Sequence, residues 1–412
     1  MAKKSVTKFF EEFIKKEPLF MDKVVLQSNY HPDDIPHRET QIHQIAQILA
    51  PALRKNKPSN LFIYGKTGTG KTVSVNYTAK QILDVAEKNG NTNIKIIYVN
   101  CKLKKIADTE YRLIAQLARE LGKEIPITGL PTDEVYKMFF NALDESQTTL
   151  VLVLDEIDQL VKKTGDEILY NLTRINSELK RSQVSIIGIS NDLIFADNLD
   201  PRVKSSLSEE EIIFPPYNAF QIQDILRQRA EMAFKKEVLE PGVIEKCAAY
   251  AAREHGDARR ALELLRVAAE VAERNGQPKV QIKDIDEAEE KIEKERVVDI
   301  VIAQPKQFQI TLYSILSVYA ARKDTIFTGE IYEIYKGLCT KTGQRPLTQR
   351  RVSDIIAELD MLGIINAKVT SKGRYGRTRE IDIAVNDAIL EKIKFLLEKE
   401  LDIKPKEQAD IQ

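Results

Sequence analysis

The sequence predicts an α/β domain with a mostly parallel sheet, then a helical domain, then a third domain of helices with a β-hairpin. Three observations predict this order. Apolar strand-like runs alternate with helix-like segments up to Pro215 and Pro216, which is typical of a parallel sheet flanked by helices. From Asn218 to Lys294 only helical periodicity remains. Beyond about residue 300, helical segments precede two short strand-like runs.

A length of 412 residues allows two or three domains. We place the α/β domain at residues 1–216, the helical domain at 217–298 and the third domain at 299–403, and we expect a disordered tail over 404–412. The chain carries 62 Lys and Arg residues and 62 Asp and Glu residues. Any affinity for nucleic acid must therefore come from a local patch of charge.

Each element of the α/β domain is predicted from its apolar pattern. Continuous apolar runs are typical of strands that are buried on both faces of a parallel sheet. The predicted strands are Leu61–Tyr64, Ile94–Asn100, Thr149–Leu154, Val184–Ile189 and Glu211–Phe214. The predicted helices are Thr7–Lys16, Glu39–Leu53, Val73–Lys88, Asp108–Leu121 and Glu167–Lys180. Functional side chains are expected where the strands end.

A glycine-rich segment lies between the first strand and its helix, which is the context of a phosphate-binding loop. The segment reads Gly65, Lys66, Thr67, Gly68, Thr69, Gly70, Lys71 and Thr72. Its glycines let successive backbone N–H groups point at one spot at a helix N-terminus, where an anion is favoured. Lys71 is expected to reach the β- and γ-phosphates of ATP, and the Thr72 hydroxyl to ligate Mg²⁺. A turn without function is the alternative, which the complete motif disfavours.

Two acidic residues, Asp155 and Glu156, follow the buried strand that begins at Thr149. A carboxylate at the end of a buried strand is costly unless it has a partner. Mg²⁺ held by Thr72 and ordered by Asp155 would be that partner. Glu156 is then placed to orient or deprotonate the attacking water. A helix cap or surface turn is the alternative for the acidic pair alone, and the phosphate loop favours catalysis.

Three further polar residues are candidates. Asn191, after the strand that ends at Ile189, could hydrogen-bond the γ-phosphate or the water, although Asn is also common in plain turns. Arg202 is expected at the rim of the domain and could reach a neighbouring molecule's nucleotide, although a solvated arginine is commoner. Arg259 could fold over the phosphates from the helical domain, although a helix-surface arginine is the more frequent case.

These motifs, with a helical domain behind them, resemble those of AAA+ ATPases. The segment Tyr30–Arg38 and the order of the domains narrow the resemblance to the archaeal DNA replication initiators of the origin recognition complex and cell-division-control type. The resemblance covers about residues 8–400. It implies an AAA+ P-loop domain, a helical lid domain and a C-terminal winged-helix domain that binds DNA.

The resemblance also implies roles for individual residues. The implied adenine neighbours are Pro36, His37 and Arg38. The residues from Gly65 to Thr72 and the pair Asp155–Glu156 are the implied Walker A and Walker B motifs, and the implied sensors are Asn191 and Arg259. Lys102 falls where initiators carry an extra helical insertion that touches DNA, and Arg202 is the candidate trans-acting arginine. In some relatives a second arginine follows shortly after this position, whereas here Ser205 and Ser206 follow.

The third domain has a local excess of positive charge. From Lys336 to Arg379 ten Lys and Arg residues stand against three Asp and Glu residues. Its pattern is three helices and then a two-stranded hairpin, which is typical of the winged-helix variant of the helix-turn-helix. The predicted helices are Gln307–Ala321, Thr328–Thr340 and Thr348–Leu362, followed by strands Ile364–Thr370 and Arg379–Val385 and a last helix Asp387–Leu401.

The helix Thr348–Leu362 is predicted to enter the major groove with its N-terminal residues, Gln349, Arg350, Arg351 and Ser353. The hairpin tip is predicted to be the wing, because arginine is favoured in a narrow minor groove. The candidate contacts there are Lys372, Arg374, Tyr375 and Arg377. A solvated hairpin and a protein-docking surface are the alternatives, and RNA is disfavoured because no row of aromatics suggests base stacking.

We therefore predict an ATP-dependent DNA replication initiator that binds double-stranded origin DNA and helps recruit or load the replicative helicase of the MCM type. Slow hydrolysis of ATP to ADP would serve as a switch. Paralogous initiators are further candidate partners. The alternatives are a DNA-stimulated helicase loader or remodelling ATPase and an AAA+ transcription regulator.

The expected location is the cytoplasm, associated with the nucleoid. The chain starts with charged residues rather than a signal peptide, and no apolar run approaches the roughly 20 residues that cross a bilayer. The three cysteines, Cys101, Cys247 and Cys339, lack metal-ligand spacing and are expected to be buried thiols in a reducing compartment.

Overall fold

The computed structural model describes residues 17–30, 32–90, 93–102, 108–126, 128–322, 326–371, 377–385 and 387–403. The chain folds as two compact units, Met1–Asp286 and Glu287–Gln412. The predicted helix Thr7–Lys16 and the predicted tail over 404–412 lie outside the described residues. All three cysteines are buried free thiols, as predicted.

The first unit is built on a five-stranded parallel sheet. The strands are β1 (Leu61–Tyr64), β2 (Ile94–Asn100), β3 (Thr149–Asp155), β4 (Gln183–Ser190) and β5 (Glu210–Ile213). Their order is β2-β3-β4-β1-β5, and every neighbouring pair is parallel. All five predicted strands are confirmed to within about one residue at each end.

Both faces of the central strand β3 are covered, and all its residues are buried. Leu150, Leu152 and Leu154 pack in one apolar cluster, whereas Val151 and Val153 pack in another on the opposite face. This alternation explains why β3 is apolar throughout, since each face needs a hydrophobic side chain. Asp155, the last residue of β3, is the point at which this apolar run ends.

Seven helices of the described residues flank the sheet. They are α1 (Glu39–Leu49), α2 (Lys71–Lys88), α3 (Glu110–Glu120), α4 (Thr132–Ser146), α5 (Ile157–Thr164), α6 (Glu167–Arg174) and α7 (Pro201–Leu207). The sequence analysis does not predict α4, α5 or α7, although the buried residues of α4 recur at helical spacing. Helix α1 is also shorter than predicted, because the chain turns into a 3₁₀ segment over Ala50–Arg54 with Pro51 at its start.

After β5 the first unit is helical, as predicted. The helices are α8 (Ala219–Ala233), α9 (Val243–Arg253), α10 (Ala258–Arg274) and α11 (Ile282–Ile302), of which α11 continues beyond Asp286. Asn218 and Gln221 form a reciprocal capping box at the start of α8, and the Asp257 side chain caps α10.

The second unit contains α12 (Lys306–Arg322), α13 (Thr328–Lys341), α14 (Gln349–Met361), α15 (Asp387–Glu400) and strands β6 (Ile326–Phe327), β7 (Ile365–Ser371) and β8 (Arg377–Ile383). Strands β7 and β8 form the predicted antiparallel hairpin. Strand β6, which is not predicted from the sequence, pairs with β8 and makes the hairpin part of a three-stranded sheet. With only two residues, β6 is too short for an alternating pattern to reveal it.

None of the helices in the described part of the chain is long and apolar enough to cross a membrane.

The chain approaches its own backbone closely at Gly256, just before α10. Gly256 has φ +70°, and a Cβ there would lie 2.3 Å from the Tyr217 carbonyl oxygen and 2.9 Å from the Tyr217 nitrogen. Backbone atoms cannot rotate away as a flexible side chain can. Gly90, after α2, has nearly the same φ of +68°, but no atom of the described residues lies within 4 Å of its Cβ position. A comparison of substitutions at the two glycines therefore distinguishes the effect of the left-handed backbone conformation from the effect of steric crowding.

We expect Gly256→Ala to lower the free energy of unfolding more than Gly90→Ala. Both changes incur a left-handed backbone penalty of about 1–2 kcal/mol. Only Gly256→Ala adds overpacking, which costs roughly 1–3 kcal/mol more. Urea denaturation of the full chain measures both values, and equal losses would contradict the close approach seen here.

Candidate nucleotide site and nucleic-acid interface

The predicted polar residues meet at one edge of the sheet. Strands β1, β3 and β4 run parallel, so the segments that follow their carboxyl ends come together there. These segments are the phosphate loop, the pair Asp155–Glu156 and Asn191. The topology therefore produces the juxtaposition that the sequence analysis expected.

Lys71, the first residue of α2, holds a buried ammonium group within the loop. Its Nζ donates to the carbonyl oxygens of Gly65 at 2.6 Å and Lys66 at 2.8 Å, and to Asn191 Oδ1 at 2.8 Å. Burial lowers the pKa of Lys71 to about 8, with the charge of Asp155 acting in the opposite direction. All three acceptors are neutral oxygens, so an anion such as a phosphate would supply the negatively charged partner that the Lys71 ammonium group lacks there.

Asp155 is a buried carboxylate surrounded by hydrogen-bond donors. Its Oδ2 accepts from Thr72 Oγ1 at 2.8 Å and from the Tyr98 hydroxyl at 2.6 Å, and its Oδ1 accepts from the Glu156 N–H at 2.9 Å. A carboxylate next to a hydroxyl is the all-oxygen donor set that Mg²⁺ prefers. Thr72 and Asp155 thus fit the predicted metal. Burial, and then the hydrogen bond to Asp155, raise the pKa of Tyr98 well above its ordinary value, so Tyr98 remains a neutral donor.

Glu156 lies between β3 and α5 in the left-handed conformation, with φ +54°. Such a conformation is unfavourable for a residue with a side chain and is common at functional sites. The Nζ of Lys102 lies 3.6 Å from Glu156 Oε2, and the Lys102 side chain is 71% exposed. The predicted DNA contact and the predicted catalytic carboxylate are therefore neighbours. The insertion residues 103–107 lie outside the described part of the chain.

Arg38 is a buried brace beneath the phosphate loop. Its Nε donates to the Thr69 carbonyl at 2.8 Å, its Nη2 to the Pro215 carbonyl at 2.6 Å and its Nη1 to the His37 carbonyl at 3.0 Å. The guanidinium carbon lies 3.8 Å from the centre of the Tyr217 ring. All three guanidinium nitrogens thus have partners within the protein, and the role of Arg38 in the site is to hold the phosphate loop in place. The neighbouring His37 contacts Asp224 of α8 at 3.1 Å.

The lid helix α10 contacts the phosphate loop directly. Asp257 caps the helix, accepting from the N–H groups of Arg259 at 2.8 Å and Arg260 at 3.3 Å. The next residue, Ala258, donates its N–H to the Gly68 carbonyl at 3.2 Å. Gly68 has φ +72°, and a Cβ there would overlap the Asp257 carboxylate. Glycine is therefore required for the lid to approach so closely. Arg259 lines the same cavity as Gly68 and Gly70, and its role toward the phosphates stays a prediction.

A cavity extends from the phosphate loop between the lid and the segment that precedes α1. Gly68, Gly70 and Thr72 line one end. The other walls are mostly apolar or aromatic and include Tyr30, Ile35, Pro36, Tyr217, Ile225 and Leu262. Of the three implied adenine neighbours, Pro36 lines this cavity, whereas Arg38 lies beneath the loop. An apolar cavity that ends at a phosphate loop suits a nucleotide base.

Arg202 is held by its own helix cap. Its Nε and Nη2 donate to the two carboxylate oxygens of Asp200, each at 3.0 Å. The guanidinium carbon also lies 5.2 Å from the Tyr170 ring centre. Arg202 is exposed, as expected at a rim. Its role toward a neighbouring molecule stays a prediction.

In the second unit, α14 presents an exposed and basic N-terminus. Thr348 caps the helix by accepting from the Arg351 N–H at 3.4 Å, and Gln349, Arg350 and Arg351 are all exposed. Arg351 lies 3.7 Å from the Asp354 carboxylate on the same helix. Three predicted wing contacts lie outside the described residues, namely Lys372, Arg374 and Tyr375. Arg377 begins β8, where it pairs with Ser371.

Family models match three segments of the chain. They describe an AAA domain over residues 54–193, a Cdc6 AAA+ ATPase-type lid domain over 223–290 and a CDC6 C-terminal winged helix domain over 299–393. An ORC1-type DNA replication protein of Pyrococcus abyssi is 54% identical over 382 residues, which cover 92% of this chain and 90% of the relative. The chain belongs to the ORC1-type DNA replication proteins. The predicted fold and family are thus confirmed, and each matched segment lies inside one predicted domain.

Solved structures agree with this assignment. The Aeropyrum pernix ORC1 protein in complex with DNA is 45% identical, with a TM-score of 0.81 and coverage of 93% of this chain and 98% of that chain. The Aeropyrum pernix ORC2 protein in its ADPNP–ADP complexes shares the fold at 22% identity, with a TM-score of 0.58 and coverage of 93% and 100%. The matched AAA and AAA+ ATPase-type lid models show that this chain contains an ATPase domain of a nucleotide-binding family.

Three residues of the site are not predicted from the sequence, namely Tyr98, Tyr217 and Arg229. Tyr98 appears in the sequence only as an aromatic residue within a strand, and Tyr217 follows the strand that ends at Ile213. Arg229, in the middle of α8, lines the cavity although it is remote in sequence from every motif. None of the three had a signal in the sequence, since Tyr98 comes close to the end of β3 only through the parallel pairing of β2 with β3.

We expect Tyr98→Phe to raise the Mg²⁺ concentration needed for half-maximal ATP hydrolysis by about tenfold, because partners that orient a metal-binding carboxylate typically contribute about 10–100-fold. ATP affinity without Mg²⁺ should stay within about twofold, since Tyr98 contacts Asp155 rather than the phosphate loop. Single-turnover hydrolysis across a Mg²⁺ series measures the effect. Tyr64→Phe is the control, because it removes a hydroxyl that contacts Glu211 at 3.1 Å instead. An unchanged Mg²⁺ requirement would rule out the positioning role.

Proposed function

We propose that this chain is an ATP-dependent initiator that binds duplex DNA at a replication origin and helps recruit or load the replicative helicase. Slow ATP hydrolysis would act as its switch. The observation that carries the proposal is the combination, in one ORC1-type chain, of a phosphate loop contacted by a lid helix with an exposed basic helix N-terminus on a winged helix. Two relatives support it: the DNA replication protein of Pyrococcus abyssi and the Aeropyrum pernix ORC1 protein, whose structure was solved in complex with DNA.

The nucleotide half of the proposal assigns one role to each group at the sheet edge. Lys71 binds the β- and γ-phosphates in place of its present neutral acceptors. Thr72 and Asp155 would hold Mg²⁺, which when bound neutralises phosphate charge. Glu156 orients the attacking water or accepts its proton. Asn191, already hydrogen-bonded to Lys71, and Arg259 sense the γ-phosphate.

The switch in the proposal follows from the contact between α10 and the phosphate loop. Ala258 donates to Gly68 within the loop, and the side chain of the next residue, Arg259, lies beside it. A change in the loop when the γ-phosphate is lost would therefore act on the first turn of the lid helix. Loss of a γ-phosphate releases nucleotide-sensing segments in other switch proteins by the same kind of local contact.

The DNA half of the proposal rests on α14. Arg351 lies near two carboxylates of its own helix, Asp354 at 3.7 Å and Glu358 at 3.9 Å. Arg350 is exposed at the same end, and among the residues that the structure describes no carboxylate lies within ion-pair distance of it. Arg350 is thus the better candidate to contact a base edge, and Gln349 is its polar neighbour.

We expect the protein to prefer a few fragments of its own genome, including an origin, when fluorescence anisotropy is recorded on tiled fragments across a salt series. Sequence-specific contacts survive salt that removes uniform phosphate binding. Arg350→Ala should lower the affinity for the preferred fragments by about 10–100-fold, since a good arginine–base contact contributes roughly 1–3 kcal/mol. Lys392→Ala, at an exposed lysine of α15 in the same unit, is the control. Uniform, salt-sensitive binding by the wild type would instead favour a helicase loader or remodelling ATPase.

We expect Glu156→Gln to bind ATP normally and to hydrolyse it at least about 100-fold more slowly, because general base catalysis typically contributes 10²–10⁴-fold. Glu210→Gln, at an exposed position of β5, is the control and should bind and hydrolyse ATP as the wild type does. Radiolabelled ATP binding and single-turnover hydrolysis measure the two quantities. Unchanged hydrolysis would remove Glu156 from its assigned role. A Glu156→Gln protein that exchanges its partners as fast as the wild type would argue against the switch.

A further inference from the structure

Arg229 is a buried cation with unsatisfied hydrogen-bond donors. Its exposed fraction is only 7%, and its Nε and Nη1 atoms have no hydrogen-bond partner among the residues that the structure describes. Its guanidinium group lies against the face of Tyr30, whose ring centre is 4.6 Å from the guanidinium carbon. Buried arginines are almost always paired, because a buried charge without partners loses its hydration and gains nothing in return. The arrangement therefore needs an explanation.

The position of Arg229 indicates what would satisfy it. Arg229 lines the same cavity as the phosphate loop residues Gly68 and Thr72. It projects from α8 one helical turn after Ile225, another wall residue. The phosphate loop and Lys71 would bind the phosphates. Arg229 would therefore contact the part of the nucleotide that lies between the apolar walls. An arginine offers only donors, and it needs an acceptor there.

Two other polar side chains of the site, Arg38 and Gln228, already have hydrogen-bond partners. Arg38 is also buried, but its three nitrogen atoms all donate to backbone carbonyls, as expected for a structural arginine. Gln228, beside Arg229, already donates to the Asp34 carboxylate at 3.1 Å. The Nε and Nη1 atoms of Arg229 are thus hydrogen-bond donors on this wall that have no acceptor among the described residues.

We infer that Arg229 recognises the base of the bound nucleotide by donating a hydrogen bond to a ring nitrogen of the purine, with Tyr30 supporting its guanidinium group. This inference rests on the proposed binding of ATP. It makes Arg229 a specificity-determining residue, because pyrimidine bases and purine analogues without that nitrogen would leave the buried donor unpaired.

The test measures nucleotide affinity with ATP and with its 1-deaza, 3-deaza and 7-deaza analogues, each of which replaces one ring nitrogen by C–H. The wild type should bind one of the three about tenfold or more weakly, as expected for loss of a hydrogen bond to a charged donor. Arg229→Met should bind ATP about tenfold more weakly and should no longer distinguish that analogue from ATP. Arg227→Met is the matched control on the same helix, because Arg227 is exposed and pairs with Asp224 and Glu245.

A second measurement separates recognition from a structural role. Without nucleotide, Arg229→Met should be at least as resistant to thermal unfolding as the wild type, since replacing an unpaired buried charge by an apolar side chain removes a cost. Lower stability of the apo variant together with unchanged discrimination between analogues would overturn the inference.

The remaining outcomes are also decisive. If the wild type binds all three deaza analogues as it binds ATP, or if Arg229→Met instead alters discrimination against 2′-deoxy-ATP, base recognition by Arg229 is wrong while ATP binding stands. If the wild type binds no ATP, and Lys71→Ala changes nothing, the proposed function itself fails. The two failures are thus distinguishable.

Discussion

The nucleotide site depends on the burial of one guanidinium group. Arg38 donates to carbonyl oxygens at Thr69 in the phosphate loop, at Pro215 after β5 and at His37 before α1. Burying a charge costs several kcal/mol unless hydrogen bonds offset it. Here three carbonyls and the Tyr217 ring do so, and they come from segments far apart in the chain. The shape of the loop and the start of the lid connection are therefore set by the same group.

The lid is held to the phosphate loop and to Tyr217 by close contacts between backbone segments. The Ala258 N–H reaches the Gly68 carbonyl, and Gly256 lies against the backbone of Tyr217. Neither contact leaves room for a side chain, and both glycines adopt positive φ. Because Tyr217 is also the residue that stacks on Arg38, the loop and the first turn of α10 share one set of packed groups. Close packing of this kind transmits a displacement of the loop to the helix that packs against it.

The site contains polar groups whose hydrogen bonding is arranged in advance and others that await a ligand. Asp155 is held by Thr72 and Tyr98, so its orientation does not have to be found when nucleotide binds. Lys71 rests on neutral oxygens, and two nitrogens of Arg229 have no acceptor among the described residues. Such groups make the free protein less stable than it could be. Binding of a ligand that supplies the missing acceptors restores that stability.

The sequence by itself determined most of the elements and the loop, because these depend on local rules. Continuous apolar runs identified all five strands of the large sheet, and the glycine spacing identified the phosphate loop. Helix α4 had a helical period that could have been recognised, whereas β6 is too short to show any period. Only the tertiary structure decided that Tyr98 holds Asp155, that Arg38 braces the loop and that Arg229 is buried in the cavity wall. These contacts join residues that are far apart in the chain. They follow from strand order and helix packing, which no short stretch of sequence contains.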